Sequence, residues 1–194
     1  MKLSNIGLWM SVVVIGWSCG SVERVDTTKI KAQMEASKIK RITPAQINNQ
    51  VEKWGSEMSK ALTASFEKEM KTANQARIEE ICQLKKIKLM DSISTEYKVK
   101  IRLLGMPDSQ SKMLYPKEKE VLDAYIYNAE NKLPMGDNIQ RIGDSLYVFT
   151  SPIPAQKGVA KLCFSDETYN FAIWSIVFRK ADVILKTNTK TLKP

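Results

Sequence analysis

The sequence predicts an α+β domain in which helices cover one face of an antiparallel sheet. One observation is the order of the signals along the chain: helices first, then a strand, a further helix, and several strands. Another is the composition, because 43% hydrophobic and 26% charged residues suit a folded domain. A chain of 194 residues has room for one domain with appendages at its ends.

The helical signals open this domain. A helix is predicted from Pro44 to about Met70, where Thr43, Pro44 and Gln46 form a capping pattern at the start. Its apolar residues recur every three or four positions and make one stripe, namely Ile47, Val51, Trp54, Met58, Leu62 and Phe66. A second helix is predicted from about Asn74 through Cys82 to Met90. The two helices would form an antiparallel pair or one long bent rod.

The first strand signal follows. Residues 97–104 alternate apolar and cationic side chains, which predicts a strand with one solvent-exposed face. The sequence Gly-Met-Pro-Asp at 105–108 ends this strand. Pro116 then begins a helix that reaches about Asn131 and turns four residues inward, namely Val121, Leu122, Tyr125 and Ile126.

The remaining sheet signals lie near the C-terminus. Residues 138–142 and 146–150 predict a hairpin around Gly143-Asp144-Ser145. A loop is expected between that hairpin and Cys163. Residues 171–178 (FAIWSIVF) form a strongly apolar run, and residues 181–185 are expected to be a last strand or its extension.

Composition excludes several classes of function. Histidine is absent, which excludes Ser-His-Asp and Cys-His catalysis, His-based zinc sites and proximal-His haem ligation. Three cysteines are too few for a disulfide scaffold or a Cys-only zinc site. The net charge of +9 could attract nucleic acid or anionic lipid. Because no basic run is interleaved with aromatic residues, we interpret the charge as a solvated basic surface and expect no nucleic-acid partner.

The N-terminus resembles a targeting signal. A basic start at Lys2 precedes an apolar run that is too short to span a bilayer and ends at Cys19. Small residues before a cysteine resemble a lipobox, in which the cysteine is lipidated and becomes the new N-terminus. A plain secretory signal and a short buried helix are the alternatives. We expect an export signal at 1–18 and a lipid anchor at Cys19 on the periplasmic face of the cell envelope, with secretion to the periplasm as the other outcome.

The other boundaries follow from this assignment. Residues 19–42 would form a polar tether that holds the domain off the membrane. The domain itself would occupy 43–187, and 188–194 would be a tail.

The stretch 162–167 has the frame of a c-type haem attachment site, C-x-x-C-H. Cys163 stands at the first thiol, Asp166 at the second, and Glu167 at the histidine. Neither acidic residue can form a thioether or serve as an ordinary haem ligand. Adjacent carboxylates could also indicate metal binding or acid–base chemistry, although one pair without a third ligand is usually a solvated turn.

The ordered landmarks resemble a known family. These are the long helix from Pro44, Ile78-Glu79-Glu80-Ile81-Cys82, the strand with Arg102, the turn at Pro107-Asp108, the helix from Pro116, Ser151-Pro152-Ile153 and Leu162-Cys163. In this order they resemble bacterial extracytoplasmic c-type haem domains with a PAS-like fold, which are often joined to sensor kinases. The resemblance covers about residues 43–185. It implies a PAS-like antiparallel sheet with long N-terminal helices packed against it.

The resemblance also implies roles for two cysteines. Cys163 would be the remaining attachment thiol and Cys82 a further helical ligand, so the sequence keeps part of a haem site and lacks the rest. If both cysteines face one pocket, the resemblance implies that they could pair as a disulfide in an oxidising compartment. We favour burial in the core or a disulfide over a haem role for Cys163, and simple core packing accounts for Cys82.

Two hypotheses of function result. The first is a non-catalytic cell-envelope lipoprotein with a PAS-like sensory or ligand-binding domain that has lost covalent haem and acts through a signalling partner. The second is a haem protein for redox chemistry or gas sensing, with haem held non-covalently or by Cys163 alone and Cys82 as axial thiolate. No catalytic constellation and no metal site are predicted. Four aromatic residues could line an apolar pocket, although their spacing favours the core: Trp54, Tyr147, Phe149 and Trp174.

Overall fold

A computed structural model describes residues 42–155, 157–164 and 171–187. All of them belong to one compact unit, Ile39–Pro194. The predicted export signal, the lipidation site Cys19, the tether up to residue 41 and the tail 188–194 lie outside the described residues. Asp166 and Glu167 do so as well.

The described residues form six helices, four strands and one short 3-10 turn at Met106–Gln110. The helices are α1 (Pro44–Met70), α2 (Gln75–Cys82), α3 (Lys88–Tyr97), α4 (Pro116–Glu130), α5 (Gly158–Cys163) and α6 (Lys180–Lys186). The strands are β1 (Lys100–Leu104), β2 (Asn138–Ile142), β3 (Leu146–Ile153) and β4 (Ala172–Arg179). The predicted α+β class is confirmed.

The four strands form one antiparallel sheet in the order β1-β4-β3-β2. β2 and β3 are the predicted hairpin, and Gly143 in its turn has φ +57°, a conformation that glycine adopts at low cost. β4 lies between β1 and β3, and its residues 172–178 are all buried, because helices pack on both faces of the sheet. This explains why residues 171–178 are almost continuously apolar instead of alternating.

The larger core lies between one face of the sheet and α1. The capping box at Thr43 and Gln46 is formed, and the predicted apolar stripe of α1 is buried apart from half-buried Trp54. The Phe66 and Trp174 rings meet edge to face with their centroids 5.0 Å apart. Thr63 Oγ1 accepts a 2.9 Å hydrogen bond from Trp174 Nε1, which satisfies the polar atom of this buried indole.

The opposite face of the sheet is also covered, which corrects the expectation of helices on one face only. α4 packs there and buries Leu122 and Tyr125 against Leu104 and Ile173. The reason lies in β4, which has apolar residues on both faces: Trp174 and Ile176 join the larger core, and Ile173 joins the core under α4. A strand of this kind needs a cover on each side.

Gly55 is the closest approach of α1 to the sheet. A Cβ atom at this position would lie 2.3 Å from Cγ of the buried Phe149. We expect Gly55→Ala to lower the free energy of unfolding by about 1–3 kcal/mol, because overpacking displaces a buried ring. Urea denaturation measures the loss. Gly136→Ala is the matched control, since nothing lies within 4 Å of its added Cβ, and an equal effect of both variants would contradict this interpretation.

The predicted second helix is wrong in its extent. It ends at Cys82, and α3 begins only at Lys88. Leu84 and Lys86 have φ values of +58° and +56° between them, so the chain turns where the apolar spacing alone suggested a continuous helix. Arg77 stabilises this turn by donating hydrogen bonds to the carbonyl oxygens of residues 85 and 86.

The predicted last strand is also wrong. Residues 180–186 form α6, although Val183 and Ile184 favour strands. Asp182 in its first turn accepts a 2.5 Å hydrogen bond from Arg179 Nε, and Lys186 in its last turn lies 5.0 Å from the centre of the Tyr97 ring. An acidic residue in the first turn and a basic residue in the last favour a helix.

Candidate functional site

The two cysteines of the domain lie together. Cys82 at the end of α2 and Cys163 at the end of α5 form a disulfide, with an S–S distance of 2.01 Å and a Cα–Cα distance of 5.3 Å. This is the pairing that the resemblance implied. Residues 158–163 were expected to be loop, and their helix α5 packs against both α1 and α2. The bond therefore joins two helices at the border of the larger core.

Arg77 fixes α2 beside this disulfide. Its guanidinium lies 2.8 Å from Glu69 Oε2 at the end of α1 and 3.0 Å from Glu80 Oε2 in its own helix. Lys86 Nζ is 2.5 Å from the other oxygen of Glu80. Hydrogen bonds from Lys86 and then Arg77 lower the pKa of Glu80, and those to Glu69 and Glu80 raise the pKa of Arg77. The network connects the end of α1, α2 and the turn that follows Cys82.

A cleft opens on the β1 side of the disulfide, which we call the Arg102 cleft. Its volume is about 300 Å³. Cys82 to Leu84, Arg102 to Leu104, Asp108, Ser111, Met113 and Leu114 line it. One sulfur-bearing residue of the disulfide thus shares a cavity with a cationic side chain.

Arg102, which lines this cleft, belongs to a buried ion pair. The Arg102 and Glu118 side chains are 12% and 1% exposed and are joined by a hydrogen bond from Nη2 to Oε1. Ser175 Oγ donates to the same carboxylate oxygen at 2.8 Å, and the backbone N–H of Tyr115 donates to the other at 3.0 Å. Arg102 Nη1 donates to the carbonyl oxygen of Met113 at 3.2 Å. Every oxygen of the buried carboxylate therefore has a donor.

The sequence produces this pair through two neighbouring elements. Arg102 lies opposite Ser175 in the β1–β4 register, and Glu118 caps the start of α4 from the third helical position. The expectation of a solvent-exposed face on β1 is wrong at Arg102, because α4 covers that face. Glu118 was not predicted as a site residue. The only sequence signal was its place two residues after Pro116, which indicates a cap and says nothing of burial.

The chemistry available here is limited by these bonds. Both sulfur atoms are consumed in the disulfide, so neither Cys82 nor Cys163 can supply a thiolate to haem iron unless the bond is reduced. The charge of Arg102 is neutralised by Glu118, while its Nε is buried and has no hydrogen-bond partner among the described residues. An N–H of this kind can bind a neutral acceptor, such as a carbonyl oxygen or a water.

The four predicted aromatic residues belong to the core. Tyr147, Phe149 and Trp174 are fully buried beneath α1, and Trp54 meets Tyr97 edge to face at 5.2 Å. They therefore pack within or against the larger core. Within the described ranges no helix is both long and apolar enough to cross a membrane, and no cluster of three or more Cys, Asp or Glu residues is arranged to hold a metal ion.

The fold and the site define the class of the protein as an α+β domain with a central antiparallel sheet covered on both faces and a disulfide between two peripheral helices. No protein-family model, curated protein or solved structure matches the chain. The resemblance to c-type haem domains with a PAS-like fold therefore stays a prediction.

Proposed function

We propose that this protein is a non-catalytic cell-envelope lipoprotein, anchored at Cys19, whose PAS-like domain binds a ligand or senses a signal on the periplasmic face. The disulfide between Cys82 and Cys163 carries this proposal. Stable disulfides belong to oxidising compartments such as the periplasm and are rare in the bacterial cytosol. The apolar N-terminal run that ends at a cysteine supports the same location.

The fold supports the binding role. An antiparallel sheet with a long N-terminal helix on one face is the arrangement expected of a PAS-like domain, and it leaves clefts along its edges. The absence of histidine from the sequence supports a non-catalytic protein. A signal from such a domain would pass to a partner protein in the envelope.

Haem binding is the alternative. Attachment through Cys163 or ligation by Cys82 would require both cysteines as free thiols, and the disulfide opposes this. We therefore propose a domain that folds without haem.

Expression of the full chain in a bacterium with a periplasm tests the location. We expect the protein in the membrane fraction, an intact mass that includes a lipid on Cys19, and cysteines at 82 and 163 that react with an alkylating reagent only after reduction. Cys19→Ser is the control and should abolish the added lipid mass while the disulfide still forms. A full-length, unlipidated protein whose Cys82 and Cys163 both react without reduction would contradict the proposal.

The absorption spectrum of the same preparation tests the cofactor. We expect no Soret band, even when the maturation machinery for c-type cytochromes is expressed together with the protein. Stoichiometric haem that is lost in Cys82→Ala or Cys163→Ala would establish the haem alternative instead.

A further inference from the structure

The Arg102 cleft lies at the open edge of β1. Among the described strands, β1 pairs with β4 alone, so no strand lies along its other edge. Leu103 packs against the larger core, whereas Leu104 belongs to the core under α4. These neighbours therefore point to opposite faces of the sheet, as the pleat of a strand requires. Since both of them line one cleft, the cleft reaches from one face to the other around the open edge.

The backbone of β1 has unpaired groups at this edge. In an antiparallel pair, alternate residues direct their N–H and C=O groups to the partner strand, and the residues between them direct these groups away. About half of the five residues of β1 therefore face away from β4. Within the described ranges, residues 100–104 form no backbone hydrogen bond outside the sheet. The open edge thus offers donors and acceptors to another extended chain.

One wall of the cleft is the turn that begins at Cys82. The disulfide to Cys163 fixes the start of this turn. Arg77 donates to the carbonyl oxygens of residues 85 and 86 at 3.3 and 3.1 Å, which holds the end of the turn. Leu84 lines the cleft from this wall. Bonds within the domain therefore hold this wall in place.

The other wall is the segment 108–114. Asp108 Oδ2 accepts the backbone N–H of Gly105 at 2.8 Å, which fixes the start of the segment. Arg102 Nη1 donates to the carbonyl oxygen of Met113 at 3.2 Å and so ties the segment to β1. Met113 itself is 74% exposed. A site whose walls are ordered before binding loses little conformational entropy when a ligand arrives.

The lining determines which kind of chain fits. It contains one cationic and one anionic residue, Arg102 and Asp108, so its net charge is +1 − 1 = 0. Apolar side chains line both walls, with Leu84 on one side and Met113 on the other. An added strand would direct its side chains alternately to the two walls. Uncharged, aliphatic residues on both sides of such a strand match this lining.

A second copy of this chain fits the edge less well than a single segment does. Paired strands lie about 4.8 Å apart. If β1 of one copy paired with β1 of another, the turn at 82–84 and the segment 108–114 of both copies would flank the same two strands. A single extended segment brings no walls of its own.

We propose that the Arg102 cleft binds an extended, uncharged, aliphatic segment of a partner protein, which adds to the sheet as a strand beside β1. In this mode of recognition, main-chain hydrogen bonds provide affinity, and the contacts of alternate side chains provide specificity. The inference rests on the partner protein of the proposed function and names the chemistry of that contact.

Titration of the full-length protein in detergent micelles with a synthetic peptide tests the proposal. The probe is a peptide of about seven residues, all valine or threonine, with blocked ends and N-methyl groups on alternate residues. These methyl groups block one edge of the peptide, which prevents its self-association, and leave the other edge free for β1. A peptide that is N-methylated at every residue is the control. We expect the probe to change the amide NMR shifts of residues 100–104 and to slow hydrogen exchange there, and we expect no effect of the control.

A pair of variants tests the location of the bound peptide. Gln83 is exposed and lines the cleft, so Gln83→Trp places a bulky ring in the path of an added strand. It should weaken binding of the probe about tenfold or more. Gln75→Trp is the matched control, since Gln75 is exposed at the start of α2 and does not line the cleft. Its affinity should equal that of the wild-type protein.

Three results would overturn the inference: no shift at residues 100–104 with about 1 mM probe, equal binding of the two peptides, or equal affinity of the two variants. Slow exchange of every β1 amide before the probe is added would also contradict it, because another part of this chain or a second copy would then cover the edge. None of these results bears on lipidation of Cys19 or on the disulfide. The proposed location of the protein therefore stands or fails separately.

Discussion

Replacement of both Cys82 and Cys163 by alanine is expected to lower the free energy of unfolding by about 4 kcal/mol. The disulfide joins residues that are 81 positions apart, so the unfolded chain loses a large closed loop when the bond is removed. In the chain-entropy model, the loss of stability arises because the unfolded chain gains conformational entropy without the cross-link. The packing of the folded state should change little, since both cysteines are only half-buried. Urea denaturation of the two proteins, followed by circular dichroism, measures the difference.

Two controls belong to this experiment. Reduction of the wild-type protein should produce the same loss as the double substitution, because both open the same loop. The dependence of the unfolding free energy on urea should become steeper, since an unfolded chain without a cross-link exposes more surface. A loss below about 1 kcal/mol would mean that the unfolded chain is already compact, or that the bond strains the folded state.

Glu118→Ala is expected to cost about 3–5 kcal/mol of stability, because it leaves the Arg102 guanidinium buried without a counter-charge. The Glu118 carboxylate also binds Ser175 Oγ and the backbone N–H of Tyr115, and both donors would lose their acceptor. The pair Arg102→Met/Glu118→Leu removes both charges at once. We expect it to recover most of the lost stability, as buried ion pairs that are replaced by apolar residues often do.

Asp144→Ala provides the matched control for this pair. Asp144 is joined to Arg141 at the hairpin turn, where the two side chains are 93% and 46% exposed. An exposed pair contributes about 0–1 kcal/mol, so its loss should be small. The outcome that would contradict our interpretation is a double variant at 102 and 118 that is as unstable as Glu118→Ala alone. Denaturation in urea measures all four proteins under one condition.

Local signals in the sequence predicted several elements correctly. The capping box at Thr43 and Gln46 set the start of α1, and the stripe of apolar residues set its buried face. Glycine at 143 and the alternating residues on both sides predicted the β2–β3 hairpin. In each of these cases the residues that determine the element lie within or next to the element itself.

The errors occur where contacts outside the apolar pattern determine the structure. The turn after Cys82 depends on hydrogen bonds from Arg77 to the carbonyl oxygens of residues 85 and 86. Helix α6 depends on the bond between Arg179 and Asp182 at its start and on the contact of Lys186 with the distant Tyr97 ring. The spacing of apolar residues in the sequence does not indicate any of these contacts. The strand preference of Val183 and Ile184 was overridden by them.

The site could be predicted only in part. The resemblance implied the pairing of Cys82 with Cys163. Nothing in the sequence indicated that Glu118 would be buried against Arg102, since acidic residues near a helix start are usually solvated caps.

The sheet order has a consequence for folding during synthesis. Among the described strands, β1 pairs with β4 alone, and β4, which begins at Ala172, is the last of the four strands to be synthesised. A chain released before that point would present β1 with unpaired backbone groups and the apolar face of α1 without its central strand. Long-range pairings of this kind form slowly. The sheet therefore cannot form until β4 has been synthesised. We expect chains that end before β4 to aggregate or to be degraded.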